Sequence, residues 1–270
     1  MINKKRIFRW VKIIIILYSL GGIALYYLQE KILFRPTKLD ADYSWQFSQP
    51  FTESNIAFDD KTNFNIVQFT VPDSLRKGIV LYFHGNRENI HHYAQFAENF
   101  TRNQYEVWMP DYPGYGKSSG ELSEKILYEE ALQVYKLARK KYAPSQIIIY
   151  GKSLGSGIAA ELAAIRDCKR LILETPYYSI PSLINRFCGI YPLSLLIHYS
   201  LPVYEYLPKV TAPISLIHGN QDWTIPFSHA ERLKNLLKPG DELIRIEGGA
   251  HNNLNEFPLF HQKLDSLLRN

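Results

Sequence analysis

The chain has 270 residues, of which 46% are apolar and 21% charged, and a formal net charge of +5. Such usage excludes a disordered chain or a repeat fibre, and two cysteines exclude a disulfide-stapled miniature domain. Lys4, Lys5, Arg6, Arg9 and Lys12 all precede the first acidic residue, Glu30, whereas residues 31–270 hold 26 basic and 25 acidic side chains. The excess charge therefore belongs to the N-terminus, and a basic nucleic-acid-binding domain is not supported.

The first predicted element is an apolar helix. Ile13 to Leu28 reads IIIILYSLGGIALYYL without a charge, about 24 Å of helix against a hydrocarbon core of about 30 Å. Val11 and Trp10 extend the run if Lys12 snorkels to the head groups, and Trp10, Tyr26 and Tyr27 suit the two interfaces. Residues 11–28 thus read as a single membrane anchor, with residues 1–29 as its unit. A cleaved signal peptide shares the basic start and finds small residues at Gly22-Ile23-Ala24, but the apolar run continues through Leu28. The cations then put the N-terminus in the cytoplasm and the rest of the chain on the extracytoplasmic side.

A linker is expected over residues 30–52, followed by a domain over 53–270. Strands are expected at Ser54–Phe58, Phe64–Val71, Ile79–His84, Tyr105–Pro110, Gln146–Tyr150, Leu171–Glu174, Ile214–His218 and Leu243–Ile246. The later ones are short continuous apolar runs, as in strands buried on both faces. Helical spacing marks Asn89–Thr101, Ser123–Tyr142, Leu154–Ile165, Ser228–Leu237 and Glu256–Leu268. This alternation predicts an α/β fold with a largely parallel sheet. Residues 176–210, rich in proline, tyrosine and leucine, break the alternation and read as a short cap over the site.

The motif that carries chemistry is Gly151-Lys152-Ser153-Leu154-Gly155, directly after IIIY and before GIAAELAAI. G-x-S-x-G between a strand and a helix is a nucleophile elbow: a sharp turn lifts the serine hydroxyl, and the glycines avoid clashes with strand and helix. A P-loop would need glycine where Gln146 stands, so Gly-Lys-Ser is not a phosphate cradle. A serine needs a base, and the base an orienting acid. His251, in GGAHNN before the last helix, is the candidate base. Asp222, in HGNQD after a buried strand, is the candidate acid, with Glu174 as its rival. The oxyanion donors expected are the backbone N–H groups of Leu154 and Asn86. Asp111 is expected to anchor its own loop and His218 to be structural. His91 and His92 point about 100° apart and do not share a metal. Cys168 and Cys188 are expected to be free thiols.

HGN at 84–86, DYPGYGKSSG at 111–120, GKSLG at 151–155, HGNQDWTIP at 218–226 and GGAHNN at 248–253 resemble the α/β-hydrolase superfamily. Within it they are similar to the serine-aminopeptidase-like branch, which has membrane-anchored members related to acyl-protein thioesterases. The resemblance implies an eight-stranded, mostly parallel sheet flanked by helices. It also implies a Ser153–His251–Asp222 triad working without metal or cofactor, and cleavage of an ester, thioester or amide through an acyl-enzyme. The expected substrate is a small-molecule or lipid-like acyl compound. A peptidase, an acyltransferase and a non-catalytic binding protein remain alternatives, and the oligomeric state is not legible.

Overall fold

The computed structural model describes residues 4–269. The chain begins with helix α1 (Lys4–Leu33), followed by the short strand β1 (Arg35–Pro36), β2 (Phe51–Ala57), β3 (Asn63–Phe69), β4 (Gly78–Phe83) and the short β5 (Arg87–Glu88). Next come α2 (Ile90–Tyr93), α3 (Glu98–Thr101), β6 (Tyr105–Asp111), α4 (Glu124–Ala138), β7 (Ile147–Lys152), α5 (Gly155–Ile165) and β8 (Arg170–Glu174). An insert carries α6 (Ile180–Cys188), α7 (Leu193–Leu196) and α8 (Val203–Tyr206). It is followed by β9 (Ile214–Gly219), α9 (Ser228–Lys234), β10 (Glu242–Ile246) and α10 (Pro258–Arg269).

Eight strands form one sheet in the order β10-β9-β8-β7-β4-β6-β3-β2. From β10 to β6 every pairing is parallel; β3 is antiparallel to both β6 and β2, so it alone runs against the rest. All eight predicted strands are present. The predicted helix 89–101 is broken into α2, a 3-10 turn and α3.

Alternate side chains of the central strands feed two cores. Ile79, Leu81, Phe83, Ile147 and Ile149 pack beneath α4, α5 and the insert. Val80, Tyr82, Ile148 and Tyr150 pack against Tyr93, Phe100 and the α10 residues Phe260, Leu264 and Leu268. Burial on both faces is why these strands read as unbroken apolar runs. Helix α4 starts where the Ser123 side chain accepts the Ile126 N–H, and turns Leu127, Ala131, Val134 and Ala138 inward.

The stretch expected as a linker is folded onto the domain. Arg35–Pro36 pairs in parallel with Arg87–Glu88, Leu39 N–H donates to Gly116 O at 2.8 Å, and Trp45 is buried among Phe47 and Tyr43. Helix α1 has a mean hydropathy of 1.9 over its most apolar window and is long and apolar enough to cross a bilayer.

Candidate active site

The C-terminal ends of β7, β8 and β9 and the loop after β10 bring the chemistry-bearing residues to one edge of the sheet, where sites of open parallel sheets assemble. Ser153 follows β7 directly and has φ of 52°, a left-handed conformation that costs a non-glycine residue energy. Packing enforces the turn. A Cβ on Gly155 would lie 2.1 Å from Phe83 O, and one on Gly151 would lie 2.4 Å from Gly155 O. Glycine at both places lets the start of α5 pack closely over β4 and β7, and that helix points its N-terminus at the serine.

His251 Nε2 lies 3.0 Å from Ser153 Oγ, and His251 Nδ1 lies 2.7 Å from Asp222 Oδ2. The acid is fixed independently of the histidine: its Oδ1 accepts the N–H groups of Thr224 and Ile225, both at 2.8 Å. Burial alone would raise the Asp222 pKa. Hydrogen bonds from His218 and His251, aided by the Ile225 N–H, outweigh it and hold the carboxyl well below its ordinary range. Asp222 is therefore a carboxylate at neutral pH. It fixes the His251 proton on Nδ1 and leaves the Nε2 lone pair facing the serine.

Of the residues expected as oxyanion donors, Leu154 is the residue between Ser153 and α5, with its carbonyl accepting the Tyr177 hydroxyl at 3.0 Å. Asn86 follows β4 and lines the same cleft as Ser153 and His251. Its backbone is held from two sides: its carbonyl accepts both Arg35 N–H and the Tyr115 hydroxyl at 2.8 Å, and its side chain donates to Leu33 O at 2.8 Å.

Other candidates stand apart from His251. Glu174 is buried and receives the Lys152 ammonium and the Tyr150 hydroxyl, so its carboxylate faces that pair and not His251. Asp111 accepts Ile90 N–H at 3.0 Å and abuts Gly116, where a Cβ would lie 1.9 Å from Oδ2. It anchors the loop that contains it, and burial raises its pKa. His218 is fully buried with Nε2 2.8 Å from Ile225 O, and it also lies 3.4 Å from Asp222 Oδ2. That second contact, with the same Oδ2 that meets His251, goes beyond the structural role expected of His218. Its sequence signal is the i,i+4 spacing of His218 and Asp222 across a turn. Both cysteines are free thiols, and burial pushes Cys168 up to about 12.

The cleft holds about 520 Å³ and is lined largely by polar groups, among them Arg35, Arg87, Glu88, Lys152 and Asn255. Among the described residues, none from 176–210 lines it. The insert expected as a roof flanks the cleft instead, with the Arg186 guanidinium donating to Trp223 O at 3.0 Å. Tyr191, Leu196 and His198 of the insert contact α1.

Residues 75–198 match the family described as serine aminopeptidase, S33. That stretch contains the elbow but stops short of Asp222 and His251. The alpha/beta hydrolase domain-containing protein 17C of Xenopus tropicalis is 29% identical over 70% of this chain, and the match spans 61% of that relative's length. Its human counterpart is 28% identical over 83% of this chain and 69% of its own length. The Pyrococcus furiosus esterase Pf2001 superposes with a TM-score of 0.67 at 18% identity, over 88% of this chain and 97% of the esterase. Est1E from Butyrivibrio proteoclasticus, solved with ferulic acid bound, gives 0.64 at 19% identity over 77% and 95%. Fold, elbow motif and relatives agree: the chain has the α/β-hydrolase fold and is similar, over residues 75–198, to the serine-aminopeptidase branch of that superfamily.

Proposed function

We propose that this α/β hydrolase is a membrane-anchored serine hydrolase that cleaves a carboxylic ester or thioester. The observation that carries the reading is His251, held between Asp222 at 2.7 Å and Ser153 at 3.0 Å, with the serine on a strained elbow. Ser153 Oγ attacks the carbonyl carbon while His251 Nε2 takes its proton. Asp222 stabilises the imidazolium, and the Asn86 and Leu154 N–H groups receive the oxyanion. His251 then protonates the departing alkoxide or thiolate. Water, deprotonated by the same nitrogen, attacks the acyl-enzyme and releases the carboxylic acid and Ser153. The likeness to esterases supports an ester or thioester over an amide. In this reading α1 crosses the bilayer, its cationic N-terminus is cytoplasmic, and the catalytic domain is extracytoplasmic.

Fluorophosphonate labelling of wild type, Ser153→Ala and His251→Ala tests the site. Labelling is expected in wild type alone. Labelling that survives Ser153→Ala names another nucleophile, and none in folded wild type removes the enzyme reading. Supplying an alcohol beside water then separates hydrolase from transferase, and peptide amides with free N-termini test for a peptidase.

A further inference from the structure

The insert between β8 and β9 is docked along α1. Tyr199 donates to Glu30, Gln29 hydrogen-bonds both Leu196 O (3.0 Å) and His198 N–H (2.7 Å), and the His198 ring meets Tyr26 edge-on at 4.5 Å. Further toward the N-terminus the Tyr191 ring stacks on Tyr18 at 4.6 Å. Its hydroxyl donates to Tyr18 O, and the Tyr18 hydroxyl donates to Ile190 O, both at 3.1 Å. Gly21 makes this approach possible, since a Cβ there would lie 2.1 Å from the Tyr191 hydroxyl. Glycine inside a helix costs about 1 kcal/mol relative to alanine, so the Gly21-Gly22 pair has a packing reason.

The contact fixes a depth. Tyr18 lies about 15 Å along the helix from Leu28, the C-terminal end of the apolar run. If α1 occupies a hydrocarbon core of about 30 Å, whatever touches Tyr18 is inside it too. The insert has the composition for that place: from Phe187 to Tyr204 there is no Asp, Glu, Lys or Arg. Phe187, Ile190 and Leu195 are 73–77% exposed, which serves no purpose in water. Backbone polar groups in lipid must be satisfied internally, and here several are: Tyr191 N–H donates to Cys188 O, Leu195 N–H to Pro192 O and Ile197 N–H to Leu193 O. The reciprocal Tyr18–Tyr191 bonds cover two more carbonyls.

We infer that residues 187–197 form a second membrane-embedded segment, dipping beside α1 into the same leaflet, and that the surface they present binds lipid acyl chains. The inference rests on the reading of α1 as a bilayer span. It places the rim of the cleft at the lipid surface, because Arg186 at the base of the dip holds the loop of the 86% exposed Trp223, next to Asp222. An interfacial indole suits that position.

The test is carbene photolabelling of the full chain in phosphatidylcholine vesicles with a probe that partitions into the hydrocarbon core. Label is expected on two tryptic peptides, Ile13–Lys31 and Phe187–Lys209, and not on Ser153–Arg166, whose Ile165 is exposed outside this surface. Label on Ile13–Lys31 alone overturns the embedded insert and leaves the anchor standing. Absence of label from both peptides overturns the anchor as well. Label on all three to the same extent overturns the specificity of the insert. Gly21→Leu, which evicts Tyr191 from α1, should remove label from Phe187–Lys209 while Ile13–Lys31 keeps it and Ser153 still takes fluorophosphonate. Unchanged labelling of the insert in that variant overturns the docking that sets its depth.

Discussion

Asp222→Asn isolates the role of the carboxylate from that of the fold around it. Asparagine is nearly isosteric, and two backbone donors decide how it sits: the N–H groups of Thr224 and Ile225, each 2.8 Å from Oδ1, demand an oxygen there. The amide nitrogen must then take the Oδ2 position, 2.7 Å from His251 Nδ1. Two N–H groups cannot face one another, so Nδ1 becomes the acceptor and the ring proton moves to Nε2, toward Ser153 Oγ. The base is now on the wrong nitrogen, and the imidazolium loses its counter-charge. In a serine-protease triad the corresponding exchange costs about 10⁴ in kcat, roughly 5.5 kcal/mol. A loss of that order is expected in hydrolysis of short p-nitrophenyl esters, with an unchanged circular dichroism spectrum. A folded variant that loses less than about tenfold would refute the assignment of Asp222 as the orienting acid.

Glu174→Gln strands the buried Lys152 ammonium and should cost about 3–5 kcal/mol in denaturant-induced unfolding, whereas Lys152→Met with Glu174→Gln should recover most of it. Equal destabilisation in the single and the double variant would show that the charge is not the cause. Gly155→Ala sets a methyl group against Phe83 O and His84 O, backbone atoms that cannot rotate away. It should lower stability by about 1–3 kcal/mol despite the better helix former, and slow fluorophosphonate labelling by displacing Leu154. His229 is pushed down to about 4, first by burial and then by Arg232, His218 and Arg186, and its Nδ1 accepts the Tyr178 N–H. Between pH 6.5 and 4 the unfolded chain binds the extra proton, so this contribution is complete above 6.5 and lost as the pH falls toward 4. His229→Asn should flatten the thermal midpoint across that window, and an unchanged slope would remove His229 as its origin.

The strands were legible because each is buried on both faces, so β7 and β9 read as short apolar runs bounded by Gly151 and Gly219. The elbow was legible for a different reason: only glycine fits at 151 and 155 once the helix start passes Phe83 O, and that constraint writes itself into the chain. The insert was not legible in the same way. Its apolar content was evident, but whether an apolar surface turns toward the cleft or toward α1 depends on partners more than a hundred residues away, such as Gln29 and Leu196. Residues 30–52 read as a linker because two-residue strands have no periodicity. Their order comes from register with Arg87–Glu88 and from the burial of Trp45. Likewise Glu174 stands at a strand end much as Asp222 stands just past one, and what distinguishes them is tertiary: Lys152 and Tyr150 meet Glu174, whereas His251 meets Asp222.

The anchor and the chemistry are joined by a path that begins where α1 ends. Leu33 O accepts the Asn86 side chain, and Arg35 N–H donates to the Asn86 carbonyl, so the residue expected to present one oxyanion donor is gripped from both its side chain and its backbone by the chain leaving α1. Tyr115, from the glycine-rich loop that Asp111 anchors, adds a second bond to the same carbonyl. A donor is worth most when it need not reorganise as charge develops, and bonds to the side chain and the carbonyl of Asn86 restrain the residue whose N–H is expected to be that donor. The insert holds Gln29 and Glu30, so the end of the helix is fixed by both the insert and the Asn86 loop. The division of surfaces follows. Apolar side chains collect along α1 and the insert, where lipid can cover them, while the cleft keeps Arg35, Arg87 and Lys152. The polar lining around Ser153 and the apolar surface of α1 and the insert are thus separate, with Arg35, just past α1, the residue that reaches the cleft.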